Sequence, residues 1–136
     1  MPLDPDRFAD LSEFRYALRR FLAASEAISK DAGITQQQYQ AILAIAAWGE
    51  RTMAMKDLAE QLLLTHHAAV QLVDRLEKLE LATRSASDGD RRIVCLKLTA
   101  KGVALLDRLA GQHLQEIRRQ EPRLSHSLAR IRRSRG

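Results

Sequence analysis

Residues 56–81 read KDLAEQLLLTHHAAVQLVDRLEKLEL, and this stretch decides the predicted fold. Its first seven residues have the pattern of a compact helix, and Leu63 and Leu64 leave room only for a turn. Thr65 is a good N-cap for a second helix, whose apolar side carries Val70, Val73, Leu76 and Leu79. Two helices joined by about three residues have the spacing of a helix-turn-helix.

The sequence that follows predicts a β-hairpin. Residues 82–86 can be extended, and residues 87–90, SDGD, favour a turn because glycine supplies backbone freedom and aspartate bonds its own chain. Residues 92–98, RIVCLKL, are β-branched and partly alternating, which favours a second strand. A helix-turn-helix followed by a two-stranded hairpin is a winged helix, which we place at residues 53–102.

Amphipathic helices are predicted before the winged helix. The first helix has a stripe at three- and four-residue steps that is apolar except for Ser25. Its apolar members are Phe8, Leu11, Phe14, Leu18, Phe21 and Ile28. It ends at residues 31–33, where Gly33 suits the left-handed position after a helix. A second helix follows Thr35, which forms a capping box with Gln38, and ends near Trp48. Residues 53–55 are extended at best.

A long helix is also predicted after the hairpin. Thr99 caps it, and its apolar stripe includes Val103, Leu106 and Ile117. We expect Pro122 to break this helix, because proline removes a backbone donor and clashes with the preceding turn. A last short helix is expected to follow.

The composition is typical of one mainly α-helical globular domain spanning residues 1–136. Hydrophobic residues make up 46% of the chain and charged residues 29%. Cys95 is the single cysteine, which excludes an intramolecular disulfide and a cysteine zinc cluster. No apolar run approaches the ~18 residues of a membrane span, and the N-terminus lacks an apolar signal core. We therefore expect a cytoplasmic protein with no membrane contact, no metal and no cofactor.

The net charge of +5 is unevenly distributed. Residues 103–136 carry eight basic and three acidic side chains, and they include the run RIRRSR at 130–135. Such a tail can attract phosphates, and it can equally be a solvated or frayed end. The charge alone does not identify a nucleic-acid-binding protein.

The second helix of the helix-turn-helix, the reader helix, is the candidate DNA-contacting element. A reader helix enters the major groove by its N-terminal end, and its outward face carries Thr65, His66, His67, Gln71 and Arg75. These side chains could also be plain surface. A metal site is a poor alternative, because adjacent histidines on a helix point about 100° apart. On the hairpin, we expect minor-groove or phosphate contacts from Arg84, Arg91 and Arg92, or an internal salt bridge among these charges.

The stretch DRRIVCLKLTAKG at 90–102 resembles the wing signature of the MarR family of transcription regulators. That signature is an Asp-x-Arg, an aliphatic residue, Leu-Thr and then Gly, and its places are filled by Asp90, Arg92, Leu96, Leu98, Thr99 and Gly102. The stretches KDLAEQL and LVDRLEKLEL resemble the helix-turn-helix of the same family. The resemblance extends over nearly the whole chain, including the long flanking helices.

The resemblance implies a homodimeric DNA-binding regulator, with repression the expected mode, that reads a palindromic site in double-stranded DNA. Residues 1–34 and 103–136 would form the dimerisation helices, which fits a first helix longer than a winged-helix core needs. A helix folded back on its own chain is the alternative. The family's brace between reader helix and wing would pair Asp74 with Arg92, with Asp90 as the wing carboxylate. Its minor-groove arginine would be Arg91 or Arg92.

Members of this family often release DNA when a small aromatic or anionic effector binds beside the dimer helices. Candidate pocket residues here are Arg15, Tyr16, Arg19, Tyr39, Trp48 and His113. The oxidant-sensing members carry a cysteine in the first helix. This chain has none there, so Cys95 is interpreted as a small buried apolar residue.

Two other function classes compete with a DNA-binding regulator. An enzyme is disfavoured because the sequence lacks G-x-S-x-G, P-loop, G-x-G-x-x-G and H-E-x-x-H motifs. A winged-helix protein–protein adaptor remains an alternative, as does a DNA-binding protein of another winged-helix family. An adaptor would not need polar residues at the start of the reader helix or an arginine-rich wing tip.

Overall fold

The fold is taken from a computed structural model that describes residues 2, 4–86 and 92–134. Five helices and three strands follow in the order α1 (Pro5–Asp31), α2 (Gln36–Ala47), β1 (Met53–Ala54), α3 (Met55–Leu62), α4 (His66–Lys78), β2 (Ala82–Ala86), β3 (Val94–Leu98) and α5 (Ala100–Arg133). The mainly α winged helix predicted from the sequence is confirmed. The predicted turn at residues 87–90 lies outside the described residues.

Threonine caps define where three helices begin, as predicted. The Thr35 hydroxyl accepts a hydrogen bond from the Gln38 amide, and the Gln38 side chain accepts one from the Thr35 amide, each at 3.0 Å. Thr65 and Thr99 cap α4 and α5 in the same way, through bonds from the amides of Ala68 and Gly102. Each cap pairs a backbone donor that has no partner inside its helix.

The three strands form one antiparallel sheet in the order β1-β3-β2. The hairpin register pairs Ala82 with Leu98 and Ser85 with Cys95. The sequence predicted only an extended segment at residues 53–55, whereas the structure places Met53 opposite Leu96 on the far side of β3. Strand β1 therefore protects one edge of the wing's inner strand, which would otherwise carry unpaired backbone groups.

The core lies beneath the winged helix, where α2, α3, α4 and the start of α5 meet. Its most deeply buried large side chains are Ile42, Met53, Leu58, Val73, Leu76, Leu81 and Leu109. Leu72, which the predicted stripe omitted, is 2% exposed, whereas Leu79 follows the end of α4 and is 36% exposed. These contacts determine which side of α4 is buried, and the opposite side is exposed to solvent.

The prediction that Pro122 breaks the last helix was wrong. Helix α5 runs without interruption from Ala100 to Arg133 with Pro122 inside it. Helix α1 packs along α5 and holds it on both sides of the proline, where Gln120 and Ser127 are buried. Beyond the proline, Arg130 forms ion pairs at 2.9 Å with Asp10 and at 2.8 Å with Glu13. These contacts offset the hydrogen bond that proline cannot make.

The outer faces of α1 and α5 are apolar and exposed in the single chain. The stripe predicted on the first helix is only partly covered: Phe8 is 56% exposed and Leu11 51% exposed. The exposed large apolar residues of these two helices are Phe8, Leu11, Tyr16, Leu18, Leu22, Val103, Leu114, Ile117 and Leu128. Within the described residues, no helix combines the length and apolar character that a membrane span requires.

Candidate nucleic-acid interface

The reader helix α4 presents a polar face at its N-terminal end. Thr65, His66 and His67 are all exposed there, as the sequence predicted. Gln71 and Arg75 follow His67 at four-residue steps and are exposed as well, so the three side chains share one side of the helix. Free backbone amides and a positive helix dipole at this end favour a nearby phosphate.

The opposite face of the reader helix fixes its orientation. Ala69, Leu72, Val73 and Leu76 are each no more than 2% exposed. A helix anchored along its whole length by such contacts cannot rotate without exposing them to water. The polar face therefore keeps a fixed orientation relative to the rest of the winged helix.

Arg84 of β2 joins the wing to the reader helix. Its Nη2 bonds Asp74 Oδ1 and its Nε bonds Glu77 Oε1, so one guanidinium bridges two carboxylates of α4. These bonds hold the pKa of Arg84 above its ordinary value, the Asp74 bond contributing most. The family resemblance predicted a pairing of Asp74 with Arg92, whereas the structure shows an ion pair between Asp74 and Arg84. Arg84 was expected to contact DNA, and its position favours a bracing role instead.

Arg92 lies exposed just before β3, at the end of the hairpin where the chain passes from β2 to β3. The other two wing residues singled out by sequence, Asp90 and Arg91, lie outside the described residues. The predicted choice between Arg91 and Arg92 as the minor-groove residue therefore stays open.

A groove of about 700 Å³ lies between the wing and the start of α3, with the first residue of the reader helix at its edge. Its polar lining comes from Thr52, Lys56, Asp57, His66 and Arg92, and Ile93 and Val94 lie along the wing side. Sequence analysis did not select Thr52 or Lys56, because nothing local distinguishes them from other polar surface residues. Only the pairing of β1 with β3 brings the start of α3 beside the wing.

The six candidate effector residues do not form one pocket. Tyr39 and His113 stack face to face, with ring centroids 3.9 Å apart, and both are buried. Burial raises the pKa of the Tyr39 hydroxyl. His113 Nδ1 lies 2.9 Å from the carbonyl oxygen of Leu109, so Nδ1 carries the donated proton. This pair is a packing contact between α2 and α5.

The remaining effector candidates lie elsewhere on the surface. Trp48 donates its indole N–H to the Thr52 carbonyl at 3.2 Å, and the Arg51 guanidinium stacks 4.3 Å from its ring centroid. Tyr16 lies exposed on α1 beside Arg20 and Arg123, which lower the pKa of its hydroxyl, with the Arg20 hydrogen bond as the largest cause. Arg15 and Arg19 are exposed on the same helix.

A separate apolar cleft of about 380 Å³ lies between the loop after α1, the segment after α4 and the start of α5. Its apolar lining comes from Ala32, Ile34, Leu79, Leu81, Ala104 and Leu105. Lys101 and Arg108 are its two cationic residues, and Lys101 Nζ donates to the carbonyl of Leu79 at 3.0 Å. None of the six candidate effector residues lines it.

Two further kinds of site to consider among the described residues are a reactive cysteine and a metal site. Cys95 is buried in β3, as expected of a small apolar residue. Across residues 2, 4–86 and 92–134, no group of three or more His, Cys, Asp or Glu side chains is placed to hold a metal ion.

Comparison with known proteins gives a consistent result. A family model described as the MarR family matches residues 32–93. The HTH-type transcriptional regulator FarR of Neisseria gonorrhoeae is 35% identical over 89 residues, which cover 65% of this chain and 59% of FarR. The chain spans about half the length of the curated relatives that it matches.

Two solved structures extend the likeness to the fold of nearly the whole chain. AbsC, a MarR family transcriptional regulator from Streptomyces coelicolor, superposes with a TM-score of 0.80 at 21% identity over 88% of this chain and 81% of AbsC. A mutant of MepR from S. aureus, solved bound to an oligodeoxyribonucleotide, superposes with a TM-score of 0.67 at 20% identity over 87% of this chain and 94% of MepR. At these identities the likeness concerns the fold.

Proposed function

We propose that this chain, whose residues 32–93 match the MarR family model, is a homodimeric DNA-binding transcriptional repressor that recognises a palindromic operator. The observation that carries the proposal is the exposed row His67, Gln71 and Arg75 on a reader helix whose other face is fully anchored. Histidine, glutamine and arginine side chains can bond base edges or phosphates.

The reader helix enters the major groove by its N-terminal end, and the wing follows the adjacent minor groove. The groove beside the wing carries three basic side chains, Lys56, His66 and Arg92, and one carboxylate, Asp57, which accepts a hydrogen bond from the Ala54 amide. The excess of basic groups suits a DNA phosphate. Asp74 and Glu77 hold Arg84, and this brace sets the distance between reader helix and wing. Arg91 or Arg92 then supplies the minor-groove contact.

Dimerisation through residues 1–34 and 103–136 accounts for the exposed apolar faces of α1 and α5. A monomer would leave these faces in water, where each apolar side chain loses the free energy of burial. Two-fold symmetry of the dimer presents two reader helices, which requires two half-sites of inverted sequence.

Anisotropy binding to the DNA upstream of the protein's own gene, titrated over salt against random duplex, tests the proposal. We expect tight binding that survives competitor, with a steep salt dependence. Gln71→Ala, Arg91→Ala and Arg92→Ala should each weaken it by about 1–3 kcal/mol where the residue enters a groove. Lys97→Ala is the control. Lys97 is an exposed cation on β3, and it does not line the groove.

The alternative function, a protein–protein adaptor, makes a different prediction. An adaptor would bind the upstream DNA and random duplex equally weakly, and the Gln71 and Arg92 variants would match Lys97→Ala. The family match and the polar reader face support a regulator over both an adaptor and an enzyme.

We also propose that the apolar cleft at the start of α5 is the effector site, in place of the six residues expected from sequence. Its apolar walls and its two cations, Lys101 and Arg108, suit a small aromatic carboxylate. Lys101 donates a hydrogen bond to the carbonyl of Leu79, the C-cap residue of the reader helix. A bound carboxylate would compete with that carbonyl for the Lys101 ammonium group. Occupancy of the cleft would thereby be linked to the position of that helix.

Benzoate and benzamide have nearly the same shape, but only benzoate is charged. Comparing their effects therefore tests whether the cations of the cleft bind a carboxylate. We expect benzoate to raise the melting temperature and weaken DNA binding, with a smaller effect of benzamide. Arg108→Met should reduce the difference between the two compounds, whereas Arg118→Met, an exposed position further along α5, should keep it. Equal effects of acid and amide, or no effect of either, would contradict the effector site without touching the DNA-binding proposal.

A further inference from the structure

Leu63 occupies the turn between α3 and the reader helix in a conformation that leucine seldom adopts. Its φ is +55°, in the left-handed region, and its side chain is 94% exposed. No other large apolar side chain among the described residues is as exposed. Leu63 thus combines backbone strain with an apolar side chain placed in water.

The fold does not require this side chain. The turn is closed by backbone bonds alone, from the Leu63 amide to the Glu60 carbonyl at 3.3 Å and from the Leu64 amide to the Ala59 carbonyl at 2.8 Å. Glycine would adopt the same backbone without the steric cost that any L side chain meets there. Strained positions of this kind occur most often at functional sites.

The position of Leu63 indicates what it contacts. It lies two residues before the N-cap of the reader helix, beside the polar face formed by Thr65, His66 and His67. The N-terminal end of a reader helix is the end that approaches the bases. In the major groove, the apolar group that a base offers is the C5-methyl of thymine.

We propose that Leu63 is a specificity-determining residue that contacts a thymine methyl group in the operator. The inference rests on the proposed DNA-binding function. It specifies one base, thymine, that each half-site of the operator would contain. It explains why an exposed, strained leucine stands at a position where glycine would give a more stable turn.

The test uses duplexes selected from a random library on the wild-type protein, with each thymine replaced in turn by deoxyuridine. Deoxyuridine lacks only the methyl group. We expect one substitution per half-site to weaken wild-type binding roughly five- to tenfold. Leu63→Ala and Leu63→Gly should bind the thymine duplex more weakly by a similar factor and should not distinguish it from the deoxyuridine duplex.

Two comparisons separate a side-chain contact from a backbone effect. Leu63→Gly should also melt at a higher temperature than Leu63→Ala, because only glycine relieves the left-handed backbone. Glu80→Gly is the matched control, since Glu80 is the other described non-glycine residue with a positive φ, +61°, and it lies at the opposite end of the reader helix. It should raise stability and leave the deoxyuridine pattern unchanged.

Three results would contradict the methyl contact, and a fourth would contradict DNA binding itself. Wild-type affinity retained in both Leu63 variants, or a loss in Leu63→Gly alone, overturns the methyl contact while DNA binding stands. A loss in both variants that no deoxyuridine reproduces overturns it as well. Failure of the wild-type protein to select any duplex overturns the proposed function, and this inference with it.

Discussion

At the scale of single residues, the start of α5 is attached to the end of the reader helix by a dense set of contacts. The Thr99 amide donates to the Leu81 carbonyl at 3.1 Å, and the Thr99 hydroxyl donates to the Glu80 carbonyl at 2.6 Å. Gly102 packs against the same backbone so closely that a Cβ would lie 2.1 Å from the Leu81 oxygen. The orientation of the reader helix relative to α5 depends on these few atoms.

Gly102→Ala should destabilise the protein by about 2 kcal/mol, because either the Leu81 backbone or α5 must move to admit the methyl group. Gly111→Ala on the same helix is the control, since a Cβ there meets no atom within 4 Å. It should stabilise by about 0.5–1 kcal/mol through higher helix propensity. Urea unfolding of both variants measures the difference. Equal effects would show that the contact with Leu81 does not constrain the helix.

The two tyrosines should titrate in opposite directions from the ordinary value of 10.0. Arg20 and Arg123 stabilise the phenolate of Tyr16 and lower its pKa, whereas burial disfavours the phenolate of Tyr39 and raises its pKa. A spectrophotometric pH titration should therefore show two steps. Tyr16→Phe should remove the step at lower pH, and Arg20→Gln should move it upward. A single step at the ordinary value would contradict both assignments.

At the scale of elements, α5 shows how packing overrides a local signal. Proline in the middle of a helix removes one hydrogen bond and strains the preceding turn. Helix α5 continues past Pro122 because α1 is packed against it and because Arg130 is tied to Asp10 and Glu13. The continuity of the helix is thus a property of the pair α1–α5.

Pro122→Ala should raise the free energy of unfolding, by up to about 3 kcal/mol, because alanine restores the amide donor and removes the clash. Helical content measured by circular dichroism should stay nearly unchanged, since the helix is already continuous. A large gain in helical content on substitution would mean that the wild-type helix is interrupted at the proline. Ser125→Ala, an exposed position one turn further on, serves as the control.

At the scale of the whole molecule, the chain divides into an anchored winged helix and two long helices with uncovered apolar faces. The core is concentrated where α2, α3 and α4 meet the start of α5. The exposed apolar residues lie largely on the outer sides of α1 and α5. This division supports the proposed dimer, in which the uncovered faces of α1 and α5 would be buried.

Leu18→Asp should split the proposed dimer, because it places a charge in the apolar face of α1, where Leu18 is 39% exposed in the single chain. Sedimentation should then report a monomer, with weakened operator binding. Ala23→Asp is the matched control, as it is exposed on the same helix about 140° around from Leu18. An intact dimer in Leu18→Asp would place the interface elsewhere.

The sequence by itself determined helices α1 to α4, the two strands of the hairpin and their order. Threonine caps, the glycine after α1, the helical period and the β-branched run at 92–98 all act within a few residues, so their outcome can be predicted locally. The exposed polar face of the reader helix followed from the same period, since the apolar side of the helix identifies the side left to solvent.

Only the tertiary structure decided what depends on residues far apart in the chain. It paired Asp74 with Arg84, added β1 to the wing, and continued α5 through Pro122. It also separated the six candidate effector residues and formed a different cleft. Each of these outcomes depends on which segments come into contact, and contact between distant segments is fixed by packing of the whole chain, which local patterns do not specify.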